Sequence, residues 1–276
     1  MAAIALALGA SLSWGVADFF GPVKARTLGA LRVLAYAQVA GLATIAAIVA
    51  ARGQGPAATA TLLAVPAAIS GTLGLYAYYR GIAVGAISVV APIAGISAIV
   101  PVVVGIASGD RPSAWKAAGI AAALIGVFFA AREPGRIGAR LAAGVGLALV
   151  AAVGFGFYFP LMHAAGDADF WWATFLFRLT STAVVGVAVA LRRPPLLLSG
   201  PDLPLIVMVG IGDMAGNLLF AAASAQGLVS IVSVLASLYP VVTIVLAWSL
   251  LEERVASSQL GGIALTLAGV ALISAG

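Results

Sequence analysis

The sequence predicts an all-α membrane protein with ten transmembrane helices arranged as two inverted five-helix repeats. Three observations predict this fold class: the composition, the recurrence of long apolar runs, and a similarity between the two halves of the chain. Of the 276 residues, 63% are hydrophobic and 8% are charged, whereas a soluble domain has about 25% charged residues. The chain has too few polar side chains to cover a soluble surface, so its composition excludes a soluble enzyme.

Apolar runs of about 20 residues, the length that a helix needs to span a bilayer, recur along the chain. Short breaks rich in Gly, Pro or charge separate them, as helix ends require. The predicted spans are residues 2–22, 29–51, 62–82, 86–107, 113–131, 141–163, 170–191, 204–225, 229–250 and 258–275. The first run starts like a signal peptide, but it lacks a basic N-terminal region and continues through Trp14 and Phe20. We therefore expect it to remain as helix 1.

The two halves of the chain match each other in the same order. The matched pairs are Gly85 and Gly227, Ser88 and Ser230, Asp110 and Glu253, Gly119 and Gly262, and Gly126 and Gly269. We place one repeat at residues 1–136 and the other at 137–276. Repeats of five helices have opposite topologies, an arrangement found in secondary transporters that bind substrate between the halves. The paired glycines, seven residues apart, are expected to pack the repeats together, with a homodimer contact as the alternative.

The segment from Ser237 to Ser274 carries the motif Tyr239-Pro240, Glu253-Arg254, Gln259, Gly262 and Gly269. It resembles the last two helices of the EamA-type branch of the drug/metabolite transporter superfamily. The first half departs from this pattern, with Asp110-Arg111-Pro112 in place of Glu-Arg, and the sequence around Trp14 resembles the start of the family's first helix. The resemblance covers essentially the whole chain. It implies ten helices, a central cavity and export or exchange of small metabolites such as amino acids, without naming the substrate.

Charged side chains inside a bilayer are costly, so those within predicted spans are the first candidates for a site. The acids are Asp18 and Asp213, and the basic candidates are Arg32, Arg178 and Arg80. Asp18 is interpreted as a ligand for a substrate amine or as a proton-coupling group. The alternative is a salt bridge to Lys24 or Arg26 near the headgroups.

Asp213 and Asn217 are four residues apart and therefore share one face of helix 8. This polar stripe predicts a cavity lining, or else an interhelical hydrogen bond. Arg178 is expected either to bind an anionic substrate group or to pair with Asp213, and we favour the pair because two opposite intramembrane charges tend to neutralise each other. An unpaired Asp213 would instead be a candidate proton carrier.

Aromatic and hydroxyl side chains in the predicted spans complete the candidate substrate-binding set. They are Trp14, Tyr76, Tyr79, Ser97, Phe157, Tyr158, Ser237 and Tyr239. We expect helices 1, 3, 4, 6, 8 and 9 to line the cavity, which Trp14, Tyr76, Ser97, Tyr158, Asn217 and Tyr239 should reach. Aromatic rings could stack on a flat substrate or attract a cation, but most rings in membrane helices pack or anchor. His163, the only histidine, is a weaker candidate for a proton relay.

No catalytic constellation, phosphate loop or metal-ligand cluster is present in the sequence, and no cofactor is expected. Basic residues flank the spans, as in a multi-pass cell-membrane protein, and form no surface for nucleic acid. The expected partners are a small-molecule substrate and the lipid bilayer, with a monomer favoured over a homodimer. The positive-inside rule places both termini outside, whereas the family resemblance implies termini inside.

The sequence favours a secondary active transporter that exports a small organic metabolite, such as an amino acid, aromatic ones included, by alternating access. A multidrug or cation exporter is one alternative, and a nucleotide-sugar-like or sugar-phosphate-like antiporter is another. A membrane-embedded enzyme would need intramembrane His, Glu or Ser-Lys constellations, which are missing. A channel would show pore-lining rings in a symmetric oligomer.

Overall fold

The computed structural model describes residues 1–57, 59–85, 87–130, 139–198, 200–252 and 257–275. Helix is the only regular secondary structure within these ranges. The helices are α1 (Ala2–Leu28), α2 (Ala30–Arg52), α3 (Ala64–Val84), α4 (Ile87–Gly95), α5 (Ile99–Ala107), α6 (Ala114–Ala130), α7 (Ala139–Arg192), α8 (Leu203–Ser224), α9 (Val229–Ala236), α10 (Tyr239–Leu251) and α11 (Ser257–Ala275).

Six helices among the described residues are long and apolar enough to cross a membrane. The protein is therefore an all-helical membrane protein, as the composition predicted. Residues 136 and 137, where we place the boundary between the repeats, lie outside the described residues. The inverted ten-helix arrangement stays a prediction.

Two predicted spans are broken helices. The fourth span consists of α4 and α5, joined by a short 3₁₀ segment, Ile96–Ala98. The ninth consists of α9 and α10, which meet at Ser237 and Leu238. Pro240 lies in the first turn of α10. Backbone N–H groups in the first turn have no partner within the helix, so proline loses no hydrogen bond there. Both breaks lie near the middle of their predicted spans.

The sixth and seventh predicted spans form two arms of α7, residues 139–168 and 170–192. The arms meet at Asp169, whose extended backbone (φ −165°, ψ 100°) interrupts the helix. Its Oδ1 accepts the backbone N–H groups of Trp171 (3.1 Å) and Trp172 (3.2 Å). Asp169 therefore caps the second arm in the usual manner of an N-cap aspartate.

Glycine lets neighbouring helices approach to backbone contact. Helix α6 packs along α11, and a Cβ atom added at Gly119 would lie 2.7 Å from the carbonyl oxygen of Gly269. Gly126 likewise faces Thr266. The paired glycines thus join the first half of the chain to the second, as the spacing predicted. Elsewhere α1 packs on α8, and α3 packs on the first arm of α7, where Gly154 meets Gly74.

Candidate functional site

A buried ion pair lies near the centre of the protein. Arg178 is fully buried, and its Nη2 donates to Oδ2 of Asp213 at 2.6 Å. Its Nη1 donates to Oε1 of Gln38 at 2.8 Å. Arg178 therefore connects α2, the second arm of α7 and α8. The prediction that Arg178 pairs with Asp213 is confirmed.

Hydrogen bonds extend this network to the first arm of α7. Tyr158 donates its hydroxyl to Oδ1 of Asn217 at 2.6 Å, and Asn217 donates Nδ2 to the backbone carbonyl of Asp213 at 2.8 Å. Tyr158 and Asn217 are both buried. The network fixes the orientation of each polar side chain, because every contact is directional.

A cavity adjoins the network in the middle of the helix bundle. It is lined by Trp14, Asp18, Gln38, Gly71, Thr72, Leu75, Phe155, Tyr158, Phe159, Phe177, Ser181, Asp213, Asn217 and Tyr239. About 50 Å³ of it is open to the centres of water molecules. Since one water needs about 10–15 Å³ by this measure, the cavity holds only a few waters.

Aromatic rings form much of the cavity wall and contact one another. Trp14 lies edge-on to Tyr158, with ring centroids 5.9 Å apart, and is tilted against Phe220 at 6.0 Å. Tyr158 is also edge-on to Phe177 at 5.2 Å. Such contacts hold the rings of the cavity wall in fixed positions.

Asp18 lines the cavity and is only 5% exposed. It forms no ion pair and accepts no hydrogen bond within the part of the chain that the structure describes. Lys24 instead pairs with Asp202 at 2.7 Å, and Arg26 donates to the carbonyl of Ile82 at 3.4 Å. The alternative of a salt bridge from Asp18 to Lys24 or Arg26 is therefore wrong.

Three candidate residues lie outside the cavity. Tyr76 is 39% exposed and Phe157 is 56% exposed, and the side chain of Arg80 is also exposed. On α3 the cavity face is formed by Gly71, Thr72 and Leu75. At about 100° per residue, Tyr76 lies beyond the Thr72 edge of this face and roughly 90° from its centre, where its side chain is exposed.

The same rotation explains Phe157. On the first arm of α7 the cavity face is formed by Phe155, Tyr158 and Phe159. Phe157 lies between them in sequence but on another side of the helix, where its ring is exposed. Its expected place in the cavity is therefore corrected.

Three further candidates are buried without lining the cavity. The hydroxyl of Tyr79 lies against Gly21, between α3 and α1. The Oγ atoms of Ser97 and Ser237 have no hydrogen-bond partner among the described residues. Arg32 and His163 are both partly buried and do not line the cavity either.

The expected set of lining helices also changes. The fourth span, α4 and α5, contributes no described residue to the cavity, whereas α2 contributes Gln38 and the second arm of α7 contributes Phe177 and Ser181. Sequence reasoning missed Gln38, Thr72 and Ser181, which are polar but uncharged. Thr72 donates to Oγ of Ser181 at 2.7 Å across the contact between α3 and α7. An uncharged polar residue at mid-span was the available signal.

Metal ligation finds no support in the described ranges, where no group of three or more His, Asp or Glu side chains could hold an ion. The two cavity carboxylates, Asp18 and Asp213, belong to different helices. Asp213 is engaged by Arg178. The site therefore offers one neutralised ion pair, one carboxylate without a cationic partner, several hydroxyl and amide groups, and an aromatic wall.

Long apolar helices around a cavity lined by polar groups, as the described residues show, are typical of membrane transport proteins. Residues 142–275 match the EamA-like transporter family. The matched second half of the chain belongs to this family, which indicates a membrane transporter of the drug/metabolite transporter superfamily.

Solved structures share the fold. One crystal structure has a TM-score of 0.76 with this chain, covering 98% of this chain and 95% of its own at 18% sequence identity. At that identity the likeness concerns the fold alone. The comparison with curated proteins gave no match.

Proposed function

We propose that the protein is a secondary active transporter that exports a small organic metabolite carrying a protonated amine, such as an amino acid. One observation supports this substrate class above the others. Asp18 lines the central cavity, is almost completely buried, and has no cationic partner in the residues described. A buried carboxylate is stabilised when a cation or a proton binds to it, so the cavity favours an amine.

The aromatic wall favours the same class. Trp14 lies one helical turn before Asp18, and Tyr239 lines the same cavity. Ring faces attract cations by about 0.5–2 kcal/mol, the larger values applying where water is excluded. Rings also stack on flat apolar groups. An aromatic amino acid would use both properties, with Thr72, Ser181 and Asn217 as hydrogen-bonding groups for its carboxylate.

The alternatives differ in the charge that they would bring into the cavity. A multidrug or cation exporter would use the same carboxylate and rings, so it remains the second candidate. A sugar-phosphate-like or nucleotide-sugar-like antiporter needs free basic groups. Among the described residues, no Lys or Arg lines the cavity. Arg178 adjoins it through Asp213, which neutralises its charge. The cavity is therefore a poor site for a phosphate.

Alternating access between two inverted repeats is supported by the packing. In an inverted repeat, α1 corresponds to the first arm of α7, and α3 corresponds to α8. The contact of α1 with α8 then matches the contact of α3 with the first arm of α7. The contacts of α6 with α11 and of α2 with the second arm of α7 would lie on the two-fold axis. A cavity that holds only a few waters must widen to admit a metabolite, as alternating access requires.

Counterflow into proteoliposomes tests the substrate class. The purified protein would be offered radiolabelled aromatic and aliphatic amino acids, an organic cation and a sugar phosphate. We expect counterflow of at least one amine that Asp18→Asn abolishes. The control, Asp167→Asn, replaces an exposed acid and should leave it intact. Counterflow of the sugar phosphate alone, or of an amine equally well in Asp18→Asn, would contradict the proposal.

The setting of this transport is also a proposal. We place the protein in the cell membrane as a monomer that exchanges its substrate across the bilayer. The exposed apolar side chains of α6 and α11, among them Trp115 and Leu267, would then contact lipid. Crosslinking of the protein in native membranes would show a dimer if α6 and α11 instead joined two copies.

A further inference from the structure

Three buried serines lie in one row along α9 and its C-terminal end. Ser230 and Ser233 belong to α9, and Ser237 is the residue that caps it. The three are separated by three and four residues, so they lie on the same side of the helix. They are 0%, 0% and 2% exposed. Their Oγ atoms have no hydrogen-bond partner in the residues described, and neither has the Oγ of Ser224 at the end of α8. Four hydroxyls are thus concentrated without partners in one region.

Four threonines in other described helices are satisfied by their own helix. Thr174, Thr182, Thr243 and Thr266 each donate to the carbonyl four residues earlier. The α9 serines do not make this bond. A buried hydroxyl without a partner costs about 1–3 kcal/mol, and water is the usual partner where the protein supplies none. The serine face therefore has the chemistry of a surface that binds water.

The outer end of this face lies beside titratable groups near solvent. Oδ2 of Asp110 accepts the backbone N–H of Ser230 at 3.0 Å, and Asp110 follows the exposed residues Ser108 and Gly109. His163 interacts electrostatically with Asp110, and its Nδ1 has no hydrogen-bond partner in the described ranges. This end of the serine row therefore lies close to exposed residues.

The inner end lies at the level of the cavity. Ser237 is about 10 Å from Ser230 along the helix axis. Tyr239, two residues later, lines the cavity, and its hydroxyl has no partner within the described part of the chain. Tyr239 also interacts electrostatically with Asp18. The unpartnered hydroxyls thus extend from Ser230, beside Asp110, to Tyr239, which lines the same cavity as Asp18.

We propose that the serine face of α9 (Ser230, Ser233 and Ser237) lines a hydrated path along which protons move between the Asp110 end of the molecule and Asp18. This inference rests on the proposed transporter function and adds that proton movement is coupled to transport of the amine. When a substrate ammonium binds the Asp18 carboxylate, the carboxyl proton leaves through the waters to bulk solvent. When the ammonium leaves, a proton returns. Proton and amine therefore exclude each other at one carboxylate.

The groups around Asp18 are consistent with this exchange. Asp18 interacts electrostatically with Asp213 of α8, Tyr78 and Tyr79 of α3, and Tyr239 of α10. All four are acids or phenols. The buried cation Arg178 is held by Asp213. The α2 residue at the cavity is the neutral Gln38, and α9 presents serines.

Single-cysteine accessibility tests the path without any substrate. The chain has no cysteine, so Ser233→Cys and Ser237→Cys each carry one thiol of nearly the size of the serine hydroxyl. Val232→Cys and Leu235→Cys are matched controls, because these residues are 1% and 0% exposed on other faces of α9. A charged methanethiosulfonate would be added to the protein in membranes. Thiolate forms in water and not in an apolar core, so the serine-face thiols should react at least about tenfold faster.

The result that overturns the path is also defined. If the serine-face thiols react no faster than the two controls, while Ser108→Cys in the exposed loop reacts readily, the face is dry. Equal fast reaction at all four buried positions would show a loosely packed helix and would overturn the path as well. Neither outcome depends on which substrate is transported, so it is separate from a failure of the counterflow assay.

Infrared difference spectroscopy tests the destination of the protons. Lowering the pH should produce a protonated carboxyl band that Asp18→Asn removes, and transfer to heavy water should shift this band. Replacing Ser233 and Ser237 together with valine should slow the shift at least about tenfold, because waters lose their partners. Unchanged unfolding temperature would show that this variant folds. A band that exchanges equally fast in it, or no band that depends on Asp18, would refute the proton path.

Discussion

Removing the charge of Asp213 should destabilise the protein strongly. Arg178 is fully buried and would keep only its bond to Gln38, so Asp213→Asn leaves a guanidinium without its counter-charge. Breaking a buried pair in this way costs about 3–5 kcal/mol. A typical interhelical hydrogen bond in a membrane contributes only about 0.6 kcal/mol, so the loss should stand out against ordinary substitutions.

A double-mutant cycle separates the pair from the individual residues. With about 2–4 °C per kcal/mol, the single variants Asp213→Asn and Arg178→Gln should each unfold on the order of 10 °C below the native protein. The double variant should be less destabilised than the sum, because it buries no unpaired charge. Thermal unfolding in detergent, followed by tryptophan fluorescence, measures all four proteins.

The outcome for transport divides two roles of the pair. If the double variant regains stability and also counterflow, the pair only holds α2, α7 and α8 together. If it regains stability but not counterflow, the charges take part in transport. Single variants that unfold at the native temperature would refute the reasoning, because burying an unpaired guanidinium would then not lower the free energy of unfolding.

Four further results are expected. Gly269→Ala should lower the unfolding temperature, since its Cβ would lie 2.6 Å from the backbone oxygen of Gly119 in α6. Gly261→Ala should not, because a Cβ there meets open space. Equal effects of the two substitutions would contradict the close packing of α6 on α11. Asp169→Ala should lower the free energy of unfolding by about 0.5–2 kcal/mol, because the second arm of α7 loses its cap. Asp167→Ala is the exposed control, and an Asp169→Ala variant as stable as the native protein would show that the cap is dispensable. Tyr158→Phe should weaken amine binding in counterflow and change the unfolding temperature little, because it frees the side-chain amide of Asn217 to rotate. A large fall in unfolding temperature with unchanged counterflow would show that Tyr158 is structural. A reporter at the C-terminus should be active outside the cytoplasm, and activity only inside would show that the family resemblance is the better guide to orientation.

The helical fold followed from the sequence because apolar length is a direct requirement of the bilayer. The site was predicted less evenly. The buried pair of Arg178 and Asp213 could be expected, since isolated charges do not persist inside a membrane. The position of Tyr76 could not, because helix rotation relative to neighbouring helices depends on packing, and adjacent residues on one helix face different surroundings. Gln38 was missed because uncharged polar groups carry a smaller penalty and leave a weaker signal.

The breaks in the spans were also only partly predictable. Proline marks a site where a helix can restart, and Pro240 does begin α10. The extended residue at Asp169 has no such marker beyond the polar break around it. The turn there depends on the capping of Trp171 and Trp172 by the aspartate side chain and on contact with the loop after α2, where Ala57 donates its N–H to Oδ2 at 3.3 Å.

The glycine contact between α6 and α11 has a mechanical consequence. Besides backbone on backbone, the contact holds only single side chains against glycine, since Gly126 faces Thr266 and Gly119 faces Ile273. With few long side chains interlocked, a small change in the angle between the two helices disturbs little packing. Because α6 and α11 come from opposite halves of the chain, their contact can serve as the axis about which the halves tilt. The rings and carboxylates of the cavity would then move apart on one side and together on the other without any loss of contact at the axis.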